Sequence, residues 1–173
     1  MARLTVQFLV IVCAFVACQS RAAGAMPRVA IFDFELIDTS LEGELNGPRA
    51  DEAARLARTG DQLRDLVTKS AKFLVVDIAP VRADARGQNL QACGGCDAKL
   101  AQKVGADLSI TGTVRKVSTL ILSINLYVRE VSTGKLIAAM NADFRGDTDE
   151  SWSRALSWIT RNRLLAPNFG APE

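Results

Sequence analysis

Ala106-Asp-Leu-Ser-Ile-Thr-Gly-Thr-Val-Arg115 and Leu120-Ile-Leu-Ser-Ile-Asn-Leu-Tyr-Val-Arg129 alternate apolar and polar side chains with a period of two. Leu108, Ile110, Gly112 and Val114 fall on one side of the first stretch, with Ser109, Thr111, Thr113 and Arg115 on the other. In the second, Leu120, Leu122, Ile124, Leu126 and Val128 alternate with Ser123, Asn125, Tyr127 and Arg129. Ser132-Thr-Gly134 is a turn signal, and the chain returns through Leu136, Ala138 and Met140. Strict alternation with a short turn predicts a three-stranded antiparallel meander, one face apolar and the other polar.

Upstream, Arg28-Val-Ala-Ile-Phe-Asp-Phe34 is apolar on both sides, as in a central strand. Val29, Ile31 and Asp33 are expected on one face, Ala30, Phe32 and Phe34 on the other. A loop rich in Gly, Asn and acids is expected from Glu35 to about Pro48. A helix follows from about Asp51 to Ser70, its inner stripe formed by Ala53, Leu56, Gly60, Leu63 and Val67. Lys72-Phe-Leu-Val-Val-Asp-Ile78 predicts a second buried strand, stopped by Pro80. Residues 81–95 show no period. A short helix is expected from Asp97 to Val104, with Asp97 at its positive end and Gly105 as C-cap. Downstream, Asp147 and Glu150 suggest a capping box for a last helix that carries Trp152, Leu156, Ile159 and Arg163 on one side. The expected domain is α+β (α/β): a mixed five-stranded sheet in the order β-α-β-α-β-β-β-α, helices packed on it, over residues 26–166. Residues 167–173 read as a flexible tail.

The first 25 residues read as a secretory signal. Arg3 precedes an apolar run from Leu4 to Ala17, and small residues lead to Ala23-Gly24-Ala25, where cleavage is expected. The run is shorter than a membrane span requires. A second reading takes Val16-Ala17-Cys18 as a lipobox with Cys18 acylated, which would make the protein an outer-membrane lipoprotein; Phe15 is unusual in such a box. Cleavage after Ala25 leaves 148 residues, the size of one domain. It removes Arg3 and Arg21 but no acid, leaving 19 bases against 19 acids. That balance gives no electrostatic reason to expect nucleic acid, or a membrane unless Cys18 is lipidated. The chain contains no histidine. Ser-His-Asp and Cys-His catalysis, His-ligated zinc and c-type haem attachment are thereby excluded, and no cofactor is expected.

Val29-Ala-Ile-Phe-Asp-Phe34, Phe73-Leu-Val-Val-Asp77 and Gly105-Ala-Asp-Leu-Ser-Ile-Thr-Gly-Thr113, with Phe32-Asp-Phe-Glu-Leu36, Cys93-Gly-Gly-Cys96 and Asp149-Glu-Ser-Trp152, resemble an uncharacterised family of secreted bacterial proteins known as a domain of unknown function. The resemblance covers nearly all of the chain after the leader. More distantly, the layout is similar to the amino-terminal domain of TolB and to the periplasmic domain of the curli secretion subunit and of penicillin-binding-protein activator lipoproteins. These likenesses imply a mixed sheet flanked by helices and a non-enzymatic, partner-binding role, with no catalytic residue to carry over. The uncharacterised family also suggests an association with periplasmic quinoprotein alcohol oxidation.

Three groups of residues invite a chemical reading. Cys93 and Cys96 would form a disulfide in an oxidising compartment, either as a structural staple or as a redox dithiol at a helix start. Against the second stand Asp97, which disfavours a thiolate, and the lack of an apolar strand directly before Cys93. Asp33, Glu35, Asp38, Glu42 and Glu44 could gather a hard cation, with Asp38, Glu42 and Glu44 the candidate ligands, but their spacing matches no EF-hand. Trp152 and Trp158 project to different sides of the last helix; one belongs in the core, and the other, with Tyr127 on the polar sheet face, could anchor a partner. The expected function is a non-catalytic periplasmic accessory or assembly protein that binds another envelope protein or itself. The alternatives are a thiol–disulfide oxidoreductase and a cation or small-ligand carrier, accessory to quinoprotein alcohol oxidation.

Overall fold

The computed structural model describes residues 25–86 and 88–171; the expected leader through Gly24, with Cys18, and the last two residues lie outside the described residues. Six strands form one mixed sheet. β1 (Arg28–Ile31) lies between β3 (Leu74–Val76) and β4 (Leu108–Lys116), parallel to both. β5 (Leu122–Glu130) and β6 (Leu136–Phe144) extend the sheet from β4 as the antiparallel meander. The sixth strand is β2 (Glu35–Asp38), which runs parallel to the far half of β4 inside the stretch expected as loop. The rest of that stretch holds helix α1 (Leu41–Asn46). The Lys72–Ile78 strand is short and lies at the sheet edge, with Leu74 exposed.

β2 continues the line of β1 with one residue too many. Ile31 pairs with Ile110 and Glu35 with Thr113, so three residues on one side span the two that separate their partners. An extra residue reverses the inside–outside alternation. Val29 and Ile31 face one core; so do Phe34 and Leu36, after the reversal, while Ala30 and Phe32 face the other. Phe34 therefore lies opposite to Phe32, against the simple alternation expected. Its ring lies over Gly112, where an added Cβ would stand 2.4 Å from the ring edge.

Helix α2 (Ala50–Ser70) and helix α5 (Asp149–Ile159) cover the larger core, built on Val29, Ile110, Ile124, Leu126, Leu63, Trp152 and Leu156. The inner side of α2 starts with Glu52, Arg55 and Thr59 before it becomes apolar at Leu63 and Val67; Ala53 is exposed. On the opposite face, a 3-10 turn (Ala79–Val81), helix α3 (Arg82–Arg86) and helix α4 (Cys96–Lys103) bury Phe32, Ile78, Leu90 and Leu100. Asp97 is turned inward from the first turn of α4, accepting from Ser109 Oγ at 2.6 Å and Arg129 Nε at 3.1 Å. This contact docks α4 on the polar side of the meander, so Ser109, Thr111 and Thr113 are buried rather than wet. Thr148, not Asp147, caps α5, in a reciprocal box with Ser151. Beyond α5, Thr160–Leu164 form a π turn and Pro167–Gly170 a 3-10 turn that rests Phe169 on the larger core, inside the segment expected as tail.

Candidate functional site

β4 places Ile110, Gly112, Val114 and Lys116 on one face, so its last inward position carries an ammonium in line with core residues. Lys116 is 0% exposed. Its Nζ lies 2.5 Å from Glu52 Oε1, 2.9 Å from Glu42 Oε2, 3.6 Å from Asp38 Oδ2 and 3.9 Å from Asp147 Oδ2. Asp38 reaches it because the extra residue before β2 turns Asp38 to this face. Asp147 in turn accepts from Arg55 Nη1 at 2.6 Å and from Trp152 Nε1 at 2.9 Å. Arg55 also donates to Asp149 at 2.7 Å, and its guanidinium stands 5.4 Å from the centre of the Trp152 ring. Trp152 packs edge-on against Phe144.

These contacts join α1, α2, β4 and the start of α5 in one ionic lattice, buried at Lys116, Glu52, Asp147 and Arg55 and open to water at Asp149. Burial works against the Lys116 charge, but its hydrogen bonds to Glu52 and Glu42 and the nearby Asp38 prevail and hold its pKa above the ordinary 10.5. Burial likewise raises Glu52 above 4.5; Lys116 opposes the rise and the Asp147 carboxylate adds to it. For Asp38, burial is outweighed by hydrogen bonds with Ser40 and by Lys116, which leave it below 3.8. The Lys116 hydrogen bond lowers Glu42. A protonated, enclosed lysine has no lone pair to offer, so this cluster suits a structural joint better than a nucleophile or base.

The residues singled out from the sequence are scattered. Asp38 and Glu42 are engaged by Lys116, whereas Glu44 is exposed and separate. Among the described residues, no group of three or more Cys, Asp and Glu side chains is arranged to hold a metal ion. Asp33 accepts from Arg64 at 2.9 Å, and Glu35 accepts from the Leu90 N–H at 2.8 Å. Cys93 and Cys96 are joined as a disulfide, Cα atoms 5.8 Å apart, at the entry to α4. Trp152 is core. Tyr127 is half-buried on the α4 side of the sheet, and Trp158 is 49% exposed on the outer flank of α5, so the two do not share a surface.

Trp158 instead borders an open groove of about 870 Å³ between α5 and β6, lined also by Phe144, Arg145, Arg154, Ala155 and Arg161. β6 is the outer strand of the sheet and has no further strand beyond it among the described residues. The Lys116 lattice was missed from sequence, although a lysine in phase with Ile110 and Val114, and Glu52, Arg55 and Thr59 in phase with Leu63 and Val67, were its signals.

The model of a family described as "protein of unknown function (DUF2380)" matches residues 27–164. No curated protein matches the chain. Solved structures similar to it include the LpoB C-terminal domain from Escherichia coli (14% identity, TM-score 0.45, covering 77% of this chain and 91% of that one). The PelC dodecamer from Paraburkholderia phytofirmans is similar at 9% identity and TM-score 0.48, covering 85% and 89% of the two chains. TolB from Acinetobacter baumannii is similar at 13% identity and TM-score 0.44, covering 80% of this chain and 28% of that one.

Proposed function

The chain belongs to that family of proteins of unknown function, and from this premise we propose that it is an exported, non-catalytic accessory protein of the cell envelope that acts by binding another protein. The observation that carries this reading is Trp158, half-exposed in an open groove beside an uncovered strand edge. A tryptophan left in water on a stable domain gains most when a partner covers it, and such residues dominate binding energy where they occur. The rest of the chain supports binding over turnover. Its most concentrated ionisable cluster encloses its lysine completely and ties that ammonium to carboxylates, and there is no histidine to shuttle protons. The signal-like leader supports delivery to the periplasm. We assign the Cys93–Cys96 bridge a structural role at the entry to α4.

The test is capture from a periplasmic extract by the purified protein and, in parallel, by Trp158→Ala. A partner retained in stoichiometric amount by the first and lost from the second, with equal melting temperatures for both proteins, is the expected result. Equal capture by both, or thiol exchange at a catalytic rate through Cys93 and Cys96, would refute the proposal.

A further inference from the structure

We propose that the edge of β6 and the groove beside it receive an extended, acidic segment of the partner protein, which adds to the sheet as a seventh strand. The inference rests on the protein-binding reading above and specifies its geometry. The phase of the ladder decides which groups are available. The Val117 N–H donates to the Ile121 carbonyl, and the β4–β5 register then turns the backbone groups of Ser123, Asn125 and Tyr127 toward β4. Those of Leu122, Ile124, Leu126 and Val128 are left for β6, where they meet Phe144, Ala142, Met140 and Ala138. The N–H and C=O groups of Ala139, Asn141 and Asp143 therefore point outward from the sheet, and a nine-residue strand offers them in sequence. Unpaired edges of this length are normally blunted by charges, proline, a bulge or a covering element; along residues 139–143 there is no proline or bulge and a single charge, Asp143, and no strand lies beyond this edge among the described residues.

The groove specifies the occupant. An added strand would direct every second side chain under the outer flank of α5, against Ala155 and Trp158. Arg145, Arg154 and Arg161 border the same space, and Asp143 is the single acid among its lining residues. Among the described residues, the ion-pair contact of Arg154 is an exposed one with Glu150, 3.6 Å away. Such a rim favours acidic side chains at alternate positions around one apolar side chain. It disfavours a second copy of this chain, because edge-to-edge pairing of two β6 strands would bring two arginine rims together.

The test places benzoylphenylalanine, a photo-crosslinking residue that keeps a large aromatic side chain where Trp158 stands, at Ala139, at Trp158 and, as a remote control, at exposed Lys99 on α4 in the full-length protein within intact cells. The expected result is that positions 139 and 158 both crosslink to one segment of one partner, with acids at alternate positions, and Lys99 does not. A synthetic peptide of that segment should then shift the amide resonances of residues 139, 141 and 143. Ala139→Pro removes an N–H that bonds nothing in the sheet, and Arg154→Glu with Arg161→Glu reverses the rim; each should weaken the peptide at least tenfold while the fold, followed by circular dichroism, is unchanged. Crosslinks to a second copy, or to a helical or uncharged segment, overturn the inference. A partner crosslinked from Lys99 alone overturns the location but leaves protein binding intact. Absence of any crosslink overturns both.

Discussion

Lys116 is the residue on which the domain's interior electrostatics turn. Removing one partner from a buried ionic group leaves the others uncompensated, which costs about 3–5 kcal/mol. Lys116→Met should therefore lower unfolding free energy by that order in a urea titration. Adding Glu52→Gln should recover part of the loss, because the carboxylate that the lysine neutralises is then uncharged. The pH dependence follows from the directions of the shifts. Lys116 is raised in the folded state, so its contribution is complete below the ordinary 10.5 and is lost as pH climbs beyond it. Asp38 and Glu42 are lowered, so theirs is present above 3.8 and 4.5 and is lost as pH falls through their depressed values. Glu52, raised by burial, acts in the opposite sense: its protonation on acidification favours the folded state. Melting temperature against pH should show a plateau between these limits, and Lys116→Met should remove the alkaline limb.

At the scale of elements, the extra residue between β1 and β2 is the device that shapes the site. It carries Phe34 across the sheet onto Gly112 and aligns Asp38 with Lys116. Gly112→Val should destabilise by about 1–3 kcal/mol or more through overpacking against the Phe34 ring. Phe34→Leu should relieve much of that cost, and a double-mutant cycle measures the coupling. The disulfide closes a very short loop; on the chain-entropy account, Cys93→Ser with Cys96→Ser should lower stability by about 2 kcal/mol and leave partner capture intact. Loss of binding without unfolding would contradict the structural role. α5 carries both tryptophans in different environments, so an aqueous quencher should reach Trp158 and spare Trp152. Trp158→Phe should abolish the quenchable fraction of the fluorescence.

Across the whole molecule, stability should be graded from the centre of the sheet outward. β1, β4 and β5 have partners on both sides, whereas β2, β3 and β6 each pair with one strand among the described residues. Native-state hydrogen exchange should be slowest in β4 and β5 and faster at the outward amides of β6, which await a partner in the proposed binding mode. Protection of those amides on binding is the whole-molecule counterpart of the crosslinking test.

The meander, the two long helices and the apolar opening strand were all legible in the sequence, because alternation and helical periodicity are local and follow from burying one face. Ile110, Ile124 and Leu63 needed only their spacing to be placed in the core. Exclusion of histidine-dependent chemistry was equally legible, since composition alone decides it. β2 was hidden because a bulge breaks the alternation that would reveal it, and its partner strand lies about eighty residues away. The Lys116 lattice was hidden for the same reason: Asp38, Glu42, Glu52, Arg55 and Asp147 are drawn from separated segments, and each looks like an ordinary solvated charge until folding removes its water. Periodicity determines which side of an element faces inward. Which charges meet there, and which edge is left uncovered, depends on contacts distant in sequence, and only the tertiary structure decides them.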